Sequence, residues 1–359
     1  MTPFKISYSS ADASGVVSWR CPSNIALVKY WGKRERQLPS NPSLSFSLAE
    51  CFTETTIEYE IIEAYASPVV SFSFNGTSNP RFQERINTLV QNLIIDIPAI
   101  EHLRLNINSK NSFPHSAGIA SSASAFGSIA LCLCSIEQKI EGRVTGNMDF
   151  YRKASYLARI GSGSACRSIY PGYVVWGDSE FYDNFSNLYA SSLPFDVHAD
   201  FRTMRDTILV VSSAEKKLSS SAGHDLMKTH PFAMGRYSQA QKDLNLLVTA
   251  LRTGDMDLFV QIVELEAMSL HALIMSSGSG TLLIKPNTLS MIEKIIDFRK
   301  TAKIPVCYTL DAGPNIHLIY PEKYKEQIVP FVEAELKPLC EEQRVIYDKL
   351  GSGPAQMVQ

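Results

Sequence analysis

An apolar run that ends on an acid and then turns is the first stretch with chemistry in it: Tyr308-Thr309-Leu310-Asp311-Ala312-Gly313-Pro314-Asn315. Asp311 at a strand end beside glycine can point into a cleft and stay ionised if a lysine stands close. The same residue also suits a plain turn cap, a frequent use of aspartate. Lysines occur in Asn24-Ile25-Ala26-Leu27-Val28-Lys29-Tyr30-Trp31-Gly32-Lys33-Arg34. Strand alternation puts Lys29 and Trp31 on one face and Tyr30 on the other. Lys29, Lys33, Arg34 and the Tyr30 hydroxyl around Gly32 can receive a polyanion, or form a solvated strand end.

Three serine-rich strings add donors. In Gly161-Ser162-Gly163-Ser164-Ala165-Cys166-Arg167-Ser168, Arg167 is a fixed fork for a carboxylate or phosphate. An ordinary surface turn is the alternative for that string. Cys166 reads as a small buried residue, because nothing nearby argues for a lowered thiol pKa. In Pro114-His115-Ser116-Ala117-Gly118-Ile119-Ala120-Ser121-Ser122-Ala123-Ser124, small residues let a backbone approach a ligand closely. A helix starting near Ser121 or Ser122 aims free N–H groups at that loop, which suits phosphate oxygens. A serine hydroxyl there is available to phosphate or Mg²⁺. A tight loop before a packed helix fits the same residues, and neither a Walker loop nor a Rossmann glycine fingerprint occurs. Glu215-Lys216-Lys217-Leu218-Ser219-Ser220-Ser221-Ala222-Gly223 is either a second anion site or a polar loop before a helix. Gly351-Ser352-Gly353-Pro354 is, on local grounds, a turn.

The chain that must position these residues has 359 of them, 45% hydrophobic, enough for one large or two ordinary domains. Lys plus Arg is 34 against 36 for Asp plus Glu, so no whole-protein field attracts nucleic acid or an anionic membrane. An anionic substrate then needs a local basic site. The seven cysteines are scattered with no CxxC pair, which argues against a disulfide framework or zinc cage and for a reducing compartment. Residues 1–15 are polar with no apolar signal core, and read as a flexible extension of an intracellular protein.

Strand patterns fall at 16–19 and 25–30 around a Pro22-Ser23-Asn24 break, and at 43–48, 55–62, 69–74 and 103–107. Helical spacing marks 81–95, the small-residue stretch to about 137, and 150–159. The second half reads as strands at 207–211, 306–310, 316–320 and 345–349, with helices near 235–252, 256–275, 287–301 and 322–338. No unbroken βαβα rhythm appears, which favours α+β over a doubly wound sheet. The irregular stretch near 180–205 is the candidate lobe boundary.

Taken in order, NIALVKYWGKR, LPSNPSLSFSL, NSFPHSAGIASSASAF, RIGSGSACRSIYPGYVVW, KKLSSSAG, YTLDAGPN and GSGP are collinear along nearly the whole chain. Together they resemble the diphosphomevalonate decarboxylases of the GHMP small-molecule kinase superfamily. Superfamily kinases usually carry glycine where this chain has Ala120, and the decarboxylases carry Ala-Ser-Ser, as here. Ala123-Ser124-Ala125 departs from the Ala-Ala-Gly common in the family, on the helix side of the loop.

The resemblance implies a two-lobed α+β GHMP-kinase-like fold, with a ribosomal protein S5 domain 2-like N-terminal lobe (16–200), a ferredoxin-like C-terminal lobe (201–359) and the active site between them. It implies ATP and Mg²⁺ as cofactors, mevalonate 5-diphosphate as substrate, and a cytoplasmic homodimer with no nucleic-acid or membrane partner. Asp311 would face the substrate's 3-hydroxyl, Lys29 would keep Asp311 ionised, and Arg167 would hold the substrate carboxylate. Tyr30, Lys33, Ser162, Ser164, Ser219, Ser220 and Ser221 would bind substrate. Pro114, Ser116, Gly118, Ala120, Ser121 and Ser122 would form the ATP loop, with Ser122 meeting the γ-phosphate or the metal ion.

Overall fold

The computed structural model describes residues 13–62, 68–114, 119–142, 147–214 and 218–357. The expected extension falls largely outside them, although the first strand already begins at Ser14. Ser116, Gly118, Lys216 and Lys217 also lie outside the described residues.

The N-terminal half is built from β1 (Ser14–Val28), β2 (Ser43–Ile61), β3 (Val69–Phe74), α1 (Pro80–Leu93), β4 (Leu103–Asn111), α2 (Ser121–Glu141), α3 (Asn147–Gly161), β5 (Tyr173–Trp176) and β6 (Ser191–Ser192). The C-terminal half adds β7 (Met204–Leu209), α4 (Ser220–Leu226), α5 (Ala233–Thr253), α6 (Met256–Ser276), α7 (Pro286–Ala302), β8 (Cys307–Thr309), β9 (Ile316–Pro321), α8 (Lys325–Phe331), β10 (Val345–Lys349) and β11 (Ala355–Gln356). One sheet runs β11-β1-β2-β4-β3 with β5 and β6 attached at β2, and the other runs β10-β7-β9-β8. Two sheets with segregated helices make an α+β fold, as expected.

Two runs read separately in the sequence are single strands. β1 continues through Pro22, where the register with β2 shifts between Pro22 and Asn24. A bulge absorbs the N–H that proline lacks. β2 continues through Ala49, Glu50 and Cys51, whose N–H groups all donate to Asp348 of β10 at 2.8 Å. That carboxylate ties the second sheet to the first.

α2 lies in the core of the first lobe with both faces buried, which its small residues permit. Ser124 and Ser128 of α2 hydrogen-bond Thr53 and Thr55 of β2, each at 2.6 Å, so the hydroxyls of this small-residue helix are satisfied against the sheet. α6, among the described residues the one helix apolar enough by length and composition to cross a bilayer, packs Phe259, Val263, Ala267 and Ile274 into the second lobe. β11 returns the end of the described chain to Trp19 and Arg20 of β1. The Gly351 turn pins this return: its N–H donates to Ser47 and its carbonyl accepts from Gly172.

Candidate active site

A cavity of about 890 Å³ opens between the lobes. Lys29 enters from the end of β1, and Asp311 from the turn after β8. Lys29 Nζ lies 3.2 Å from Asp311 Oδ1 and donates to the Ala26 carbonyl at 2.6 Å. The lysine is 1% exposed and the aspartate 28%, so the carboxylate faces the cavity with the ammonium behind it. Burial lowers the Lys29 pKa, and Asp311 works against that shift.

α6 fixes both partners. Its Glu266 accepts the Lys29 backbone N–H at 2.8 Å, and its His271 Nε2 sits 3.1 Å from the Asp311 carbonyl. Arg236 of α5 grips Glu266 with two bonds of 2.7 and 2.6 Å and donates to the Lys29 carbonyl at 3.1 Å. The turn holding Asp311 is pinned further on: Asn315 exchanges two hydrogen bonds with Ser212, and Thr288 donates to the Pro314 carbonyl. The backbones on either side of the Lys29–Asp311 contact are therefore both set by one helix.

Breaking a buried pair of this kind strands a charge and costs about 3–5 kcal/mol. Glu266→Gln is expected to lower the unfolding midpoint accordingly and to cut kcat more than ATP affinity, as read by denaturation and steady-state kinetics. Asp243 of α5 backs the same pair. It is buried, stands close to Glu266 and accepts from Gln239 at 2.8 Å. Burial first, then Glu266, pushes its pKa up to about 7. A raised carboxyl pKa favours the folded state while the proton is on. That contribution is complete below the ordinary value of 3.8 and is lost as pH rises through about 7. Asp243→Asn should therefore flatten the pH dependence of stability between pH 4 and pH 7, measured by urea unfolding across that range.

Arg167 does not sit on a surface turn. Its string forms a buried 3₁₀ segment, Gly163–Ile169. The guanidinium is 2% exposed, with Nη1 donating to Ser43 at 2.6 Å and Nε to Ser45 at 3.1 Å. Asn24 braces the segment by donating to the Ser164 carbonyl and Ser168 Oγ. Gly163 is required by Tyr30, because a Cβ there would lie 2.8 Å from the tyrosine ring. Gly32 is required twice over, by its φ of +101° and by Tyr237 against its Cα. Cys166 is buried with its thiol pushed up to about 12, which fits a packing role.

Lys29, Tyr30, Lys33, Ala120, Ser122, Ser162, Ser164, Arg167, Ser219, Ser221 and Asp311 all line the one cavity. Lys33 Nζ donates to Ser221 Oγ, and Ser122 Oγ is 3.3 Å from Ser162 Oγ. Ala120 holds a left-handed conformation with φ of 46° before α2. Ser121, Pro114, Ser219 and Ser220 each stand differently. Ser121 accepts from Asn111 and turns to a small apolar slot beside Phe82 and Phe126. Pro114 is exposed and is not among the lining residues. Ser219 lines the cavity, and its hydroxyl oxygen also caps α4 by accepting from the Ala222 N–H, which leaves its O–H able to donate. Ser220 opens α4, and its side chain lies outside the described set.

Sequence reading missed Arg81 and Arg85, which reach the cavity from α1. Their four-residue spacing was the available signal, since it puts both on one helix face. With them, five cations and one carboxylate line the cavity among the described residues. Such a wall suits a polyanion.

Two family models match the chain. The diphosphomevalonate decarboxylase-like N-terminal domain covers residues 21–186, and the mevalonate 5-diphosphate decarboxylase C-terminal domain covers 207–357. The diphosphomevalonate decarboxylase of Aspergillus fumigatus is 30% identical over 89% of this chain and 80% of its own length. The chain belongs to the diphosphomevalonate decarboxylase family. A solved structure described as MDDEF in complex with MVAPP, AMPPCP and magnesium is 26% identical, with a TM-score of 0.81 over 97% of this chain and 100% of that one. The mevalonate diphosphate decarboxylase of Staphylococcus aureus, at 24% identity and a TM-score of 0.82 over 98% of this chain and 100% of its own, shares the fold. For a diphosphomevalonate decarboxylase family member, the cation-rich wall and the single acid beside Lys29 are the features that need a chemical role.

Proposed function

We propose that the chain uses ATP to convert mevalonate 5-diphosphate into isopentenyl diphosphate, ADP, phosphate and CO₂. The observation that carries this reading is the Lys29–Asp311 contact at the wall of a cavity whose other charged lining residues, among those described, are cations. Asp311 takes the proton of the 3-hydroxyl as that oxygen receives the γ-phosphoryl group. The C3–O bond then breaks, and phosphate leaves with the electron pair. Electrons of the bond to the carboxylate carbon form the C2–C3 double bond, and CO₂ departs.

Arg167 holds the substrate carboxylate at its free edge, since Nε and Nη1 are already committed. Lys33, Tyr30 and Ser221 receive the 5-diphosphate. Ser122, at the start of α2, meets the ATP phosphates. Phe82, Phe126 and Arg85 frame the apolar slot beside Ser121, which suits the flat base of ATP. Among the described residues no group of three His, Cys, Asp or Glu gathers. Magnesium therefore fits as an ion carried by phosphate oxygens and water, with the Ser122 hydroxyl as the protein's contribution. The ion would offset charge between the phosphates.

The cytoplasm is the compartment we propose, because all seven cysteines are free and buried. A homodimer is the assembly the family resemblance implies, and sedimentation velocity reads it directly. Incubation with ATP, Mg²⁺ and mevalonate 5-diphosphate should release ADP, phosphate and CO₂ one for one. Equal or faster turnover of the 5-monophosphate would reassign the substrate. ADP without CO₂ would make the chain a kinase.

A further inference from the structure

His224 has no role in the chemistry above, yet it is built into the cavity wall. It lies on α4 between the rings of Tyr30 and Trp31, with centroids at 4.2 and 4.9 Å. The Gly32 N–H donates to its Nδ1 at 3.0 Å. A neutral imidazole carries a single N–H, so with Nδ1 accepting, the proton sits on Nε2. Burial first, then Lys33, hold the ring neutral with a pKa of about 3; Asp225 opposes the shift and Arg167 adds to it. The residue is 7% exposed. No described group accepts from Nε2, and that atom is not sealed from solvent. His224 is among the residues that line the cavity, beside Lys33 and Ser221.

We propose that His224 is a further substrate-binding residue, its Nε2–H donating to an oxygen of the substrate's 5-diphosphate. The inference rests on the substrate reading above. Lys33 and Arg167 already supply charge at this end of the cavity. A neutral donor adds direction without a further cation, and its tautomer is set before substrate arrives. An anionic oxygen is a stronger acceptor for that N–H than the water it would replace.

Two variants separate this role from a structural one. His224→Asn keeps an acceptor near the Nδ1 position for Gly32 and removes the distal donor. His224→Gln keeps a distal N–H and gives up the Gly32 contact. A lost hydrogen bond to a charged partner corresponds to roughly 10–100-fold in binding. His224→Asn should raise KM for mevalonate 5-diphosphate by that factor, with kcat within about threefold and KM for ATP unchanged, while His224→Gln restores most of the loss. An Asn variant with wild-type KM, or equal losses in both variants, overturns the proposal. If neither variant folds, the ring-nitrogen NMR spectrum of ¹⁵N-histidine-labelled wild type decides: substrate should shift one protonated Nε2 resonance of a neutral ring, and no shift overturns it. A wild type that releases no CO₂ would instead remove the substrate reading itself.

Discussion

Asparagine at position 311 leaves a folded protein that binds ATP and substrate within a few-fold of wild type and turns over about 10³-fold more slowly. Among the described residues the carboxylate is the one acid beside five cations in the cavity wall, and it faces the cavity at 28% exposure. A positioned base contributes roughly 10²–10⁴-fold. The amide is nearly isosteric and keeps the backbone bonds from Gly313 and His271, so the turn survives. A second effect compounds the first. Burial already lowers the Lys29 pKa and Asp311 opposes the shift. Without the carboxylate the ammonium loses its partner and is biased further towards the neutral amine. Rapid-quench measurement of a single turnover reads the chemical step; a rate within tenfold of wild type would remove Asp311 from the mechanism.

Arg167→Lys carries the next largest effect. The guanidinium is held by Ser43, Ser45 and Asn24, which fixes its plane before substrate binds. An ammonium is a point charge on a flexible stem and cannot span two oxygens side by side. It also leaves buried hydroxyls of β2 short of a donor. A drop of about 100-fold in kcat/KM for the substrate is expected, from geometry that is lost together with the fork. The Kd for ATP should stay within about threefold, because Arg167 stands with the substrate groups rather than at the start of α2. Kinetics for both ligands in the two proteins test the difference, and equal kcat/KM values would take the carboxylate role away from Arg167.

The convergence of Lys29, Arg167 and Asp311 is legible only from the collinear strings taken together and the family they resemble, because each string alone also fits a turn or a solvated strand end. What surrounds them is not. Glu266 lies in the middle of an apolar helix and Arg236 on a helix with no motif, and a buried ion pair shows in sequence only as two ordinary charges far apart. Arg81 and Arg85 read as the solvated face of an amphipathic helix, which they are until α1 is packed beside the cavity. Adjacent residues on a helix diverge by about 100°, so Ser122 lines the main cavity as well as the apolar slot, whereas its neighbour Ser121 lines the slot alone. The break expected within β2 fails for a similar reason: the N–H groups of Ala49 to Cys51 are satisfied by Asp348, some 300 positions on. Lobe content, by contrast, follows from local pattern, since alternation and helical spacing are short-range properties.

The route of the 3-hydroxyl oxygen tests the account at its centre. Mevalonate 5-diphosphate carrying ¹⁸O in that hydroxyl can be turned over with ATP and Mg²⁺, and the released phosphate examined by mass spectrometry. One ¹⁸O in every phosphate is the expected result, because the oxygen beside Asp311 takes the phosphoryl group and leaves with it. Phosphate containing only unlabelled or solvent oxygen would mean that ATP is hydrolysed elsewhere in the cavity, and that Asp311 does not face the reacting hydroxyl.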